Sequence, residues 1–331
     1  MYSKPHLSYE KQLDKLIGRG LLVDERGPCV DTLKRIGYYR LSAYSYPFRI
    51  ILPPQLRESE TNYRSEKFQT GVRFETVVQL ADFDSKLRRL IFEAIEEIEI
   101  VLCTRVAYIA GRVDPFIHKN KESLDKNRCN SQVTPNGKTI TRWKAWKSKF
   151  KILESQAKNE DFYKHFEQKY NGEMPIWVAM EFIDFGGLTR LFYLLPAKVQ
   201  SDVAKCFGVR SGATFSKWIV ALNYLRNKVA HHNRVWNRAM TYSLQPPNIN
   251  EVSGEIDHLR FRKNGLNSAY DYIAVIAYLM SVISPATQWN YKVLSLIEEF
   301  PDNQYVSLEN DMGFPVGWRL LSLWSSFAKD I

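Results

Sequence analysis

The sequence predicts an all-α fold, and two observations carry that prediction. Apolar residues recur at helical spacing through most of the 331-residue chain, whereas the two-residue alternation that is typical of strands is scarce. A chain of this length can bury one large helical core or two modest ones. We expect an N-terminal helical region over residues 1–70 and a helical domain over residues 71–331, with a polar insertion near residues 112–141.

Two helices are predicted in the N-terminal region. Ser8 is a suitable N-cap for the first, YEKQLDKLIGRG, whose glycines suit its end. The second covers CVDTLKRIGYYRLSAY, residues 29–44. Prolines then end the helical pattern at Pro47, Pro53 and Pro54. Residues 55–70 are predicted to be a polar loop.

The longest helical signal runs from about residue 74 to residue 110. Its apolar residues fall in one stripe, as expected of a long core helix. These residues are Leu80, Phe83, Leu87, Leu90, Ile91, Ala94, Ile98, Val101, Leu102 and Ile109. Arg105 falls inside the stripe, where a structural ion pair with a glutamate or a supporting role at a cleft would explain it. Glu96 and Glu99 lie off the stripe.

The rest of the chain alternates loops with helices. Residues 111–141 are polar and contain an Asn136-Gly137 turn signal, so they are predicted to be mostly loop. Further helices are predicted over residues 151–170, 175–194 (with a break at Gly186-Gly187), 196–206 and 213–232, and in the segments LNSAYDYIAVIAYLMSVIS and YKVLSLIEEF.

The composition of the chain indicates which broad class of protein it belongs to. The chain is 45% hydrophobic and 25% charged, which is ordinary for a globular protein. It has no apolar run long enough for a transmembrane helix and no signal peptide at its start, so we expect a cytoplasmic protein without membrane contact. The four cysteines lack metal-ligand or redox spacing, so we expect reduced thiols, no metal and no cofactor.

The charge is uneven along the chain. From Thr241 onward there are 6 basic and 10 acidic residues, a net charge of −4. The first 240 residues hold 40 basic and 26 acidic residues, a net charge of +14. An excess of this size, confined to one part of the chain, favours a polyanionic partner such as nucleic acid.

A short segment, RNKVAHHNRVWN, holds the strongest candidates for chemistry. Arg226 lies toward the apolar stripe of its predicted helix, where a charge is costly unless it is paired. Asn227 and His231 are four residues apart and share a face. Arg226 and His231 are about 140° apart around the helix, so either the arginine reaches round or a second copy completes the pair. Alternatively, these cations merely suit a helix C-terminus.

A basic segment with aromatic residues, RWKAWKSKFK, is a second candidate. It holds five cations and three aromatic residues in ten positions, without an acidic residue. Cations can follow an RNA backbone while aromatic rings stack on unpaired bases. The candidate RNA-binding residues are Arg142, Trp143, Lys144, Trp146, Lys147, Lys149 and Lys151. The alternative is an amphipathic helix with its aromatic residues in the core.

Several blocks, in order, resemble one known family. They are KPHLSYEKQLDKLIGRGL, LKRIGYYRLSAYSYPFR, FDSKLRRLIFEAIEEIEIVLCTRVAY, RNKVAHHNRVWNR and MGFPVGW. The chain resembles the Abi-like abortive-infection proteins of the AbiD/AbiF type, in the HEPN superfamily of all-α ribonucleases. The segment RNKVAH fits the R-x4-H signature of that superfamily. The resemblance implies a HEPN-like helical bundle with additional N-terminal and C-terminal helices.

The resemblance also implies a function. It implies a metal-independent endoribonuclease that acts in phage defence or as a toxin, built as a homodimer whose protomers each supply a signature motif. Arg226 and His231 would be the catalytic pair and Asn227 the polar orienter. His232 would be an alternative histidine, and the auxiliary candidates are Glu96, Glu99 and Arg105. The implied partners are the RNA substrate and a small structured RNA or an antitoxin. The alternative is a HEPN-like module that binds RNA or a partner without cutting.

Overall fold

A computed structural model describes residues 5–57, 59, 62–262 and 265–325. The described residues are mainly helical, with two small antiparallel sheets of two strands each, which confirms the predicted all-α class. The chain forms two compact units. The first comprises Met1–Leu87 and Ser295–Phe314, and the second comprises Arg88–Leu294 and Pro315–Ile331. The predicted domain boundary at residue 70 stays a prediction.

The first unit begins with three helices and a hairpin. The helices are α1 (Tyr9–Gly18), α2 (Arg26–Ile36) and α3 (Tyr38–Ser45), and the strands are β1 (Arg49–Ile51) and β2 (Arg64–Phe68). The side chain of Ser8 accepts a hydrogen bond from the Lys11 amide and caps α1, as predicted. Leu13, Leu33 and Phe48 are fully buried and help form the core of this unit.

Two predictions for this region were wrong. The single helix over residues 29–44 is divided at Gly37, whose φ of 86° is a left-handed value that few residues other than glycine adopt. Residues 55–70 are not only loop, because they contain β2. Its residues RSEKF are mostly polar, and the strand exists through pairing of Arg49 with Phe68 and of Ile51 with Arg64. Such pairing depends on a distant segment and leaves little trace in the local sequence.

Helix α4 (Phe74–Gly111) confirms the longest predicted helix. Two short strands follow it, β3 (Gln132–Val133) and β4 (Ile140–Thr141). The later helices are α5 (Lys126–Asn130), α6 (Arg142–Gln156), α7 (Asp161–Tyr170), α8 (Ile176–Ala179), α9 (Phe185–Leu194), α10 (Ala197–Lys205), α11 (Gly212–Ala230), α12 (Ala269–Ile283), α13 (Trp289–Glu298) and α14 (Ser322–Ser325).

Helix α12 lies at the centre of the second unit. Every residue from Ala269 to Met280 is buried, as expected of a helix that is apolar around its whole circumference. Its N-terminus is closed by a capping box in which Ser268 and Asp271 bond each other's backbone amides. Asp271 is also paired with Arg262, Nε to Oδ1 at 3.0 Å, which compensates a fully buried carboxylate.

The break predicted at Gly186-Gly187 is displaced. The chain leaves α8 after Ala179, and both glycines lie in the first turn of α9, which Asp184 caps by accepting the Gly187 amide at 2.6 Å. A Cβ on Gly187 would stand 3.0 Å from a methyl of Leu153. This glycine therefore permits close packing within a helix and does not end one. Likewise, the predicted helix over residues 151–170 is two helices, the first of which starts at Arg142.

Among the residues that the structure describes, no helix combines the length and the apolar character that crossing a membrane requires.

Candidate functional site

Helix α11 carries the arginine-histidine segment at its C-terminal end. Its predicted apolar stripe is confirmed, because all six members are buried: Phe215, Trp218, Ile219, Leu222, Leu225 and Val229. Ser211 caps the helix by accepting the Thr214 amide. The helix ends at Ala230, and His231 follows as its C-cap. The buried stripe therefore fixes the helix and leaves Arg226, Asn227 and His231 on its other sides.

A cleft of about 950 Å³ in the second unit receives Arg226. One wall is formed by α4 and the residue after it, and the other by residues 177–184, which comprise the end of α8 and the turn that leads to α9. The lining residues are Phe92, Glu96, Glu99, Ile100, Cys103, Thr104, Ala107, Tyr108, Gly111, Arg112, Trp177, Met180, Glu181, Phe182, Ile183, Asp184 and Arg226. Since Phe92 and Gly111 are nineteen positions apart on one helix, the cleft is roughly 30 Å long.

Arg226 is paired and partly exposed. Its Nε lies 3.9 Å from Oε2 of Glu99, and its guanidinium stands 5.9 Å from the centre of the Phe92 ring. The side chain is 38% exposed. The expectation that Arg226 lies on the core-facing side is therefore corrected: the guanidinium is at the edge of the buried stripe and enters the cleft, where it can approach an anionic group.

The surroundings of Glu99 change the pKa of its carboxyl group. Burial raises its pKa, the charge of Arg226 opposes that rise, and Asp184 and Glu96 add to it. The Glu99 side chain is 20% exposed, so the ion pair with Arg226 is less screened than a surface pair. Glu99 can therefore hold the guanidinium in place. Glu96 also lines the cleft but is exposed.

The other ionisable groups of the cleft differ in role. Asp184 accepts hydrogen bonds from the Gly187 amide and from Lys149 Nζ, the latter at 2.6 Å, so it is held by structure on both oxygens. Burial raises the pKa of the Cys103 thiol to about 12, with smaller contributions from Glu99 and Glu181. A thiol with this pKa is a poor nucleophile at neutral pH.

Asn227 and His231 do not line the cleft. Both are exposed, and the His231 backbone amide donates to the Asn227 carbonyl at 3.1 Å. Within the described part of the chain their side chains make no hydrogen bond with each other, so the orienting role of Asn227 stays a prediction. His232 is also exposed and has a left-handed φ of 56°. The structure thus brings Arg226 together with Glu96 and Glu99, and leaves both histidines outside that group.

Arg105 does not occupy a core position. It is exposed, and no ion pair of Arg105 occurs among the described residues. The buried face of α4 continues beyond Ile98 through Leu102, Val106 and Ala110. Each step of four residues turns that face by about 40°, so it has rotated away from Arg105. The predicted stripe was wrong here because it assumed a fixed direction, and Arg105 lies outside the lining of the cleft.

The basic segment forms the first part of α6. Trp146 is 1% exposed and donates its indole N–H to the His118 carbonyl at 2.7 Å, so its proposed stacking on RNA bases is wrong. Phe150 is buried as well. Lys149 is paired with Asp184. An amphipathic helix must turn its apolar side inward, and the sequence does not show which aromatic residues that side takes.

Five of the seven candidate RNA-binding residues remain accessible. Lys144, Lys147 and Lys151 are exposed, and Trp143 is half-buried with Lys147 Nζ 5.9 Å from its ring centre. Arg142 stacks on Tyr193, with the guanidinium 4.5 Å from the ring centre. Contact of these residues with RNA stays a prediction.

The sequence did not reveal the far wall of the cleft. Trp177 lies on α8, and Glu181 and Asp184 lie in the turn that follows it. Their position depends on packing between distant segments: a Cβ on Gly111 would meet the Trp177 ring at 3.2 Å. The near wall did leave a signal. Phe92, Ile100 and Tyr108 recur at multiples of four residues on α4, on a side away from the buried stripe.

No group of three or more histidine, cysteine, aspartate or glutamate side chains is arranged to hold a metal ion in the parts of the chain that are described.

Comparison with known proteins identifies the family. The family of Abi-like proteins matches residues 31–237, a segment that includes all of α4 and all of α11 together with His231 and His232. No curated protein and no solved structure matches the chain. Because the matched segment covers more than half of the sequence, the chain belongs to the family of Abi-like proteins, and this membership implies a role in abortive infection.

Proposed function

We propose that this protein is a metal-independent endoribonuclease that acts in abortive infection. One observation carries the proposal: the Arg-Asn-x-x-x-His segment lies at an accessible helix end, with Arg226 held in a cleft by Glu99 and His231 free in solvent. A buried arginine or a buried histidine in this segment would have indicated a structural role. Catalysis by these groups requires that both reach a substrate, and both can.

The residues suit cleavage of RNA because RNA carries its own nucleophile, the 2′-hydroxyl. His231 would accept the proton of that hydroxyl or donate one to the leaving 5′-oxygen, since an imidazole titrates near neutral pH. Arg226 would stabilise the charge that develops on the phosphorane, because a guanidinium stays charged and binds two phosphate oxygens. The products would be a 2′,3′-cyclic phosphate and a 5′-hydroxyl.

The active form would be a homodimer. Phe92, Ile100 and Tyr108 on α4 and Trp177 across the cleft are exposed by 38%, 60%, 64% and 52%. Large apolar side chains exposed together along one groove indicate a protein interface. A two-fold contact here would place Arg226 of one copy near the motif of the other, because Arg226 packs against Phe92.

Capture of the substrate would use the exposed cations. Lys144, Lys147 and Lys151 of α6 are free to contact phosphates, and the chain carries a net charge of +10. A small structured RNA or an antitoxin would be suited to hold the enzyme inactive by covering the same basic surface. The RNA substrate and such an inhibitor would then compete.

The alternative is a HEPN-like module that binds RNA or a partner without cutting it. The charge of the cleft favours this reading, because it contains Glu96, Glu99, Glu181 and Asp184 against Arg112 and Arg226. An excess of acidic side chains over basic ones suits a protein partner that carries basic side chains. In that case His231 would be dispensable for binding and for any effect on cells.

The test is a cleavage assay on an unstructured oligoribonucleotide in EDTA. We expect cleavage without divalent metal, 2′,3′-cyclic phosphate ends, and resistance of a substrate with 2′-deoxyribose at the cleavage site. Loss of activity in EDTA, or equal cleavage of the deoxy substrate, would exclude the mechanism. Binding without cleavage under all conditions would favour the alternative.

A further inference from the structure

Two tyrosine rings pack against each other on the outer side of α11. The rings of Tyr224 and Tyr242 are 5.2 Å apart between centroids and inclined by 47°, and the Tyr224 hydroxyl is 3.1 Å from the Thr241 hydroxyl. Tyr242 is 50% exposed and Tyr224 is half-buried. The pair therefore presents an accessible aromatic surface, in which the exposed Tyr242 ring packs against the half-buried Tyr224 ring.

The position of Tyr242 is fixed by the residues around it. Met240 and Leu244 on either side are buried, and their backbone amides donate to the carbonyls of Asn267 and Leu266, both at 2.8 Å. The carbonyl of Tyr242 itself accepts the hydroxyl of the buried Tyr272 of α12. The backbone is thus anchored at Met240, Tyr242 and Leu244, which fixes the position of the exposed tyrosine. Little entropy is therefore lost when a ligand stacks on its ring.

Positive charge surrounds the pair. Lys228 Nζ lies 5.1 Å from the centre of the Tyr224 ring. Burial raises the pKa of Tyr224, but hydrogen bonds with Thr241 and the charges of Arg238 and Lys228 outweigh it and lower the pKa below its usual value. Cations beside an exposed ring pair are what a strand of unpaired nucleotides requires, because the bases stack while the phosphates are neutralised.

Tyr224, one member of the pair, shares a helix face with His231. Tyr224 and His231 are seven residues apart on α11 and its C-cap, which is about 20° around the axis and about 10 Å along it. Lys228 lies between them. Arg226, by contrast, is directed into the cleft. A single strand that passes the imidazole would therefore also reach the tyrosines.

We propose that Tyr224 and Tyr242 form a stacking subsite for an unpaired nucleobase of an RNA strand, with Lys228 and Arg238 at its phosphates. The proposal rests on the proposed ribonuclease function and deepens it, since it says where a nucleotide next to the cleaved bond is held. Stacking accepts any base, so the subsite gives affinity and position and leaves sequence preference weak.

The experiment uses an oligoribonucleotide that is 2′-O-methylated throughout, so that it cannot be cut, and that carries 2-aminopurine. Stacking quenches the fluorescence of this base. With the wild-type protein we expect quenching on binding. The double variant Tyr224→Ala, Tyr242→Ala should bind about tenfold more weakly and should not quench. The single variant Tyr242→Trp, in which Tyr224 is intact, should still stack on the base and quench its fluorescence.

Tyr170→Ala is the matched control. Tyr170 is 45% exposed and also carries a lysine over its ring, with Lys169 Nζ at 5.3 Å, but it lies on α7. This variant should bind and quench as the wild type does. If the double variant does the same, or if Tyr170→Ala is equally impaired, the subsite is wrong.

Cleavage of unmodified RNA, measured in parallel, separates this proposal from the function on which it rests. If the wild type cleaves RNA but quenching is unchanged when both tyrosines are replaced, the subsite is wrong and the nuclease function stands. Quenching that depends on the tyrosines without cleavage would support the subsite and overturn the nuclease.

Discussion

The two sides of the C-terminal end of α11 differ in chemistry. One side faces the cleft, where Arg226 is paired with Glu99 and lies near Phe92. The other side faces solvent and presents Tyr224, Lys228 and His231. A signature that is continuous in sequence is thus divided between an acidic, partly apolar groove and an exposed, basic and aromatic surface.

This difference indicates that the two sides of the helix bind different partners. The groove has the exposed apolar residues of a protein interface, and the outer surface has the aromatic rings and cations that suit RNA. If the groove receives a second copy of the chain, the arginine of one protomer and the histidine of the other can meet at one phosphate.

The largest effect is expected on the outer surface, at the histidines. His231→Ala should lower the rate of RNA cleavage by about 10²–10⁴-fold, because a general acid–base group is lost while nothing buried is disturbed. His232→Asn is the matched control, since asparagine tolerates the left-handed backbone of this position. It should cut nearly as fast as the wild type. The opposite ranking would make His232 the principal histidine.

The next largest effect is expected in the groove. Ile100→Glu places a charge on a side chain that is 60% exposed, so the single chain should stay folded while the dimer is weakened at least about tenfold. Sedimentation velocity measures the change. Val316→Glu, at a residue that is 93% exposed, is the control and should not affect assembly. An unchanged dimer in Ile100→Glu would place the interface elsewhere.

A smaller effect is expected on α6. Replacing Lys144, Lys147 and Lys151 by alanine should weaken RNA binding and reduce the salt dependence of the logarithmic affinity by about 2, because each lost contact with a single strand contributes about 0.7. Lys149 is left in place because it pairs with Asp184. The control removes the same charge from three other exposed lysines, Lys158, Lys164 and Lys169. Equal slopes in both triple variants would remove α6 from the RNA-binding surface.

The smallest effect concerns stability, away from both surfaces. His118 is 1% exposed and neither ring nitrogen has a hydrogen-bond partner. Burial, with a contribution from Lys119, lowers its pKa from 6.5 to about 3. The unfolded chain therefore binds a proton that the folded chain does not, so the stability associated with neutral His118 is present above pH 6.5 and is lost as the pH falls toward 3. Between pH 7 and pH 5 this loss is about 2 kcal/mol.

His118→Phe should remove that part of the acid dependence, and it should cost little at pH 7, because the ring already packs against Phe150 and gives up no hydrogen bond. Urea unfolding at pH 7 and pH 5 gives the comparison. Burial also lowers the pKa of His258, to about 4. The part of the acid dependence of stability that is due to His258 should be the same in both proteins. An identical loss in the variant and the wild type would show that His118 is not responsible.

The features that the sequence predicted well are local ones. The cap at Ser8, the extent of α4 and the buried stripe of α11 follow from spacing within one segment, and the structure has all three. The family match rests on the same segments, since residues 31–237 include α4 and α11.

The features that it missed depend on distant segments. Trp146 and Phe150 are in the core because α6 turns that side inward, and the sequence alone favoured neither side. Arg105 is exposed because the buried face of α4 rotates with the packing of its neighbours. The wall of residues 177–184 and the pairing of β1 with β2 join segments far apart in the chain. Which residues meet Arg226 could therefore not be read from the motif.

Complementation between two inactive variants tests whether Arg226 of one copy acts with His231 of another. Arg226→Ala and His231→Ala should each be inactive alone, but a mixed dimer holds one intact site. Co-expressed in equal amounts with different tags, the two variants should recover about a quarter of the wild-type cleavage rate, because half of the dimers are mixed and each has one working site. If the purified mixed dimer cuts no faster than either variant alone, the arginine and the histidine act within one chain or not at all, and a site shared between two copies is excluded.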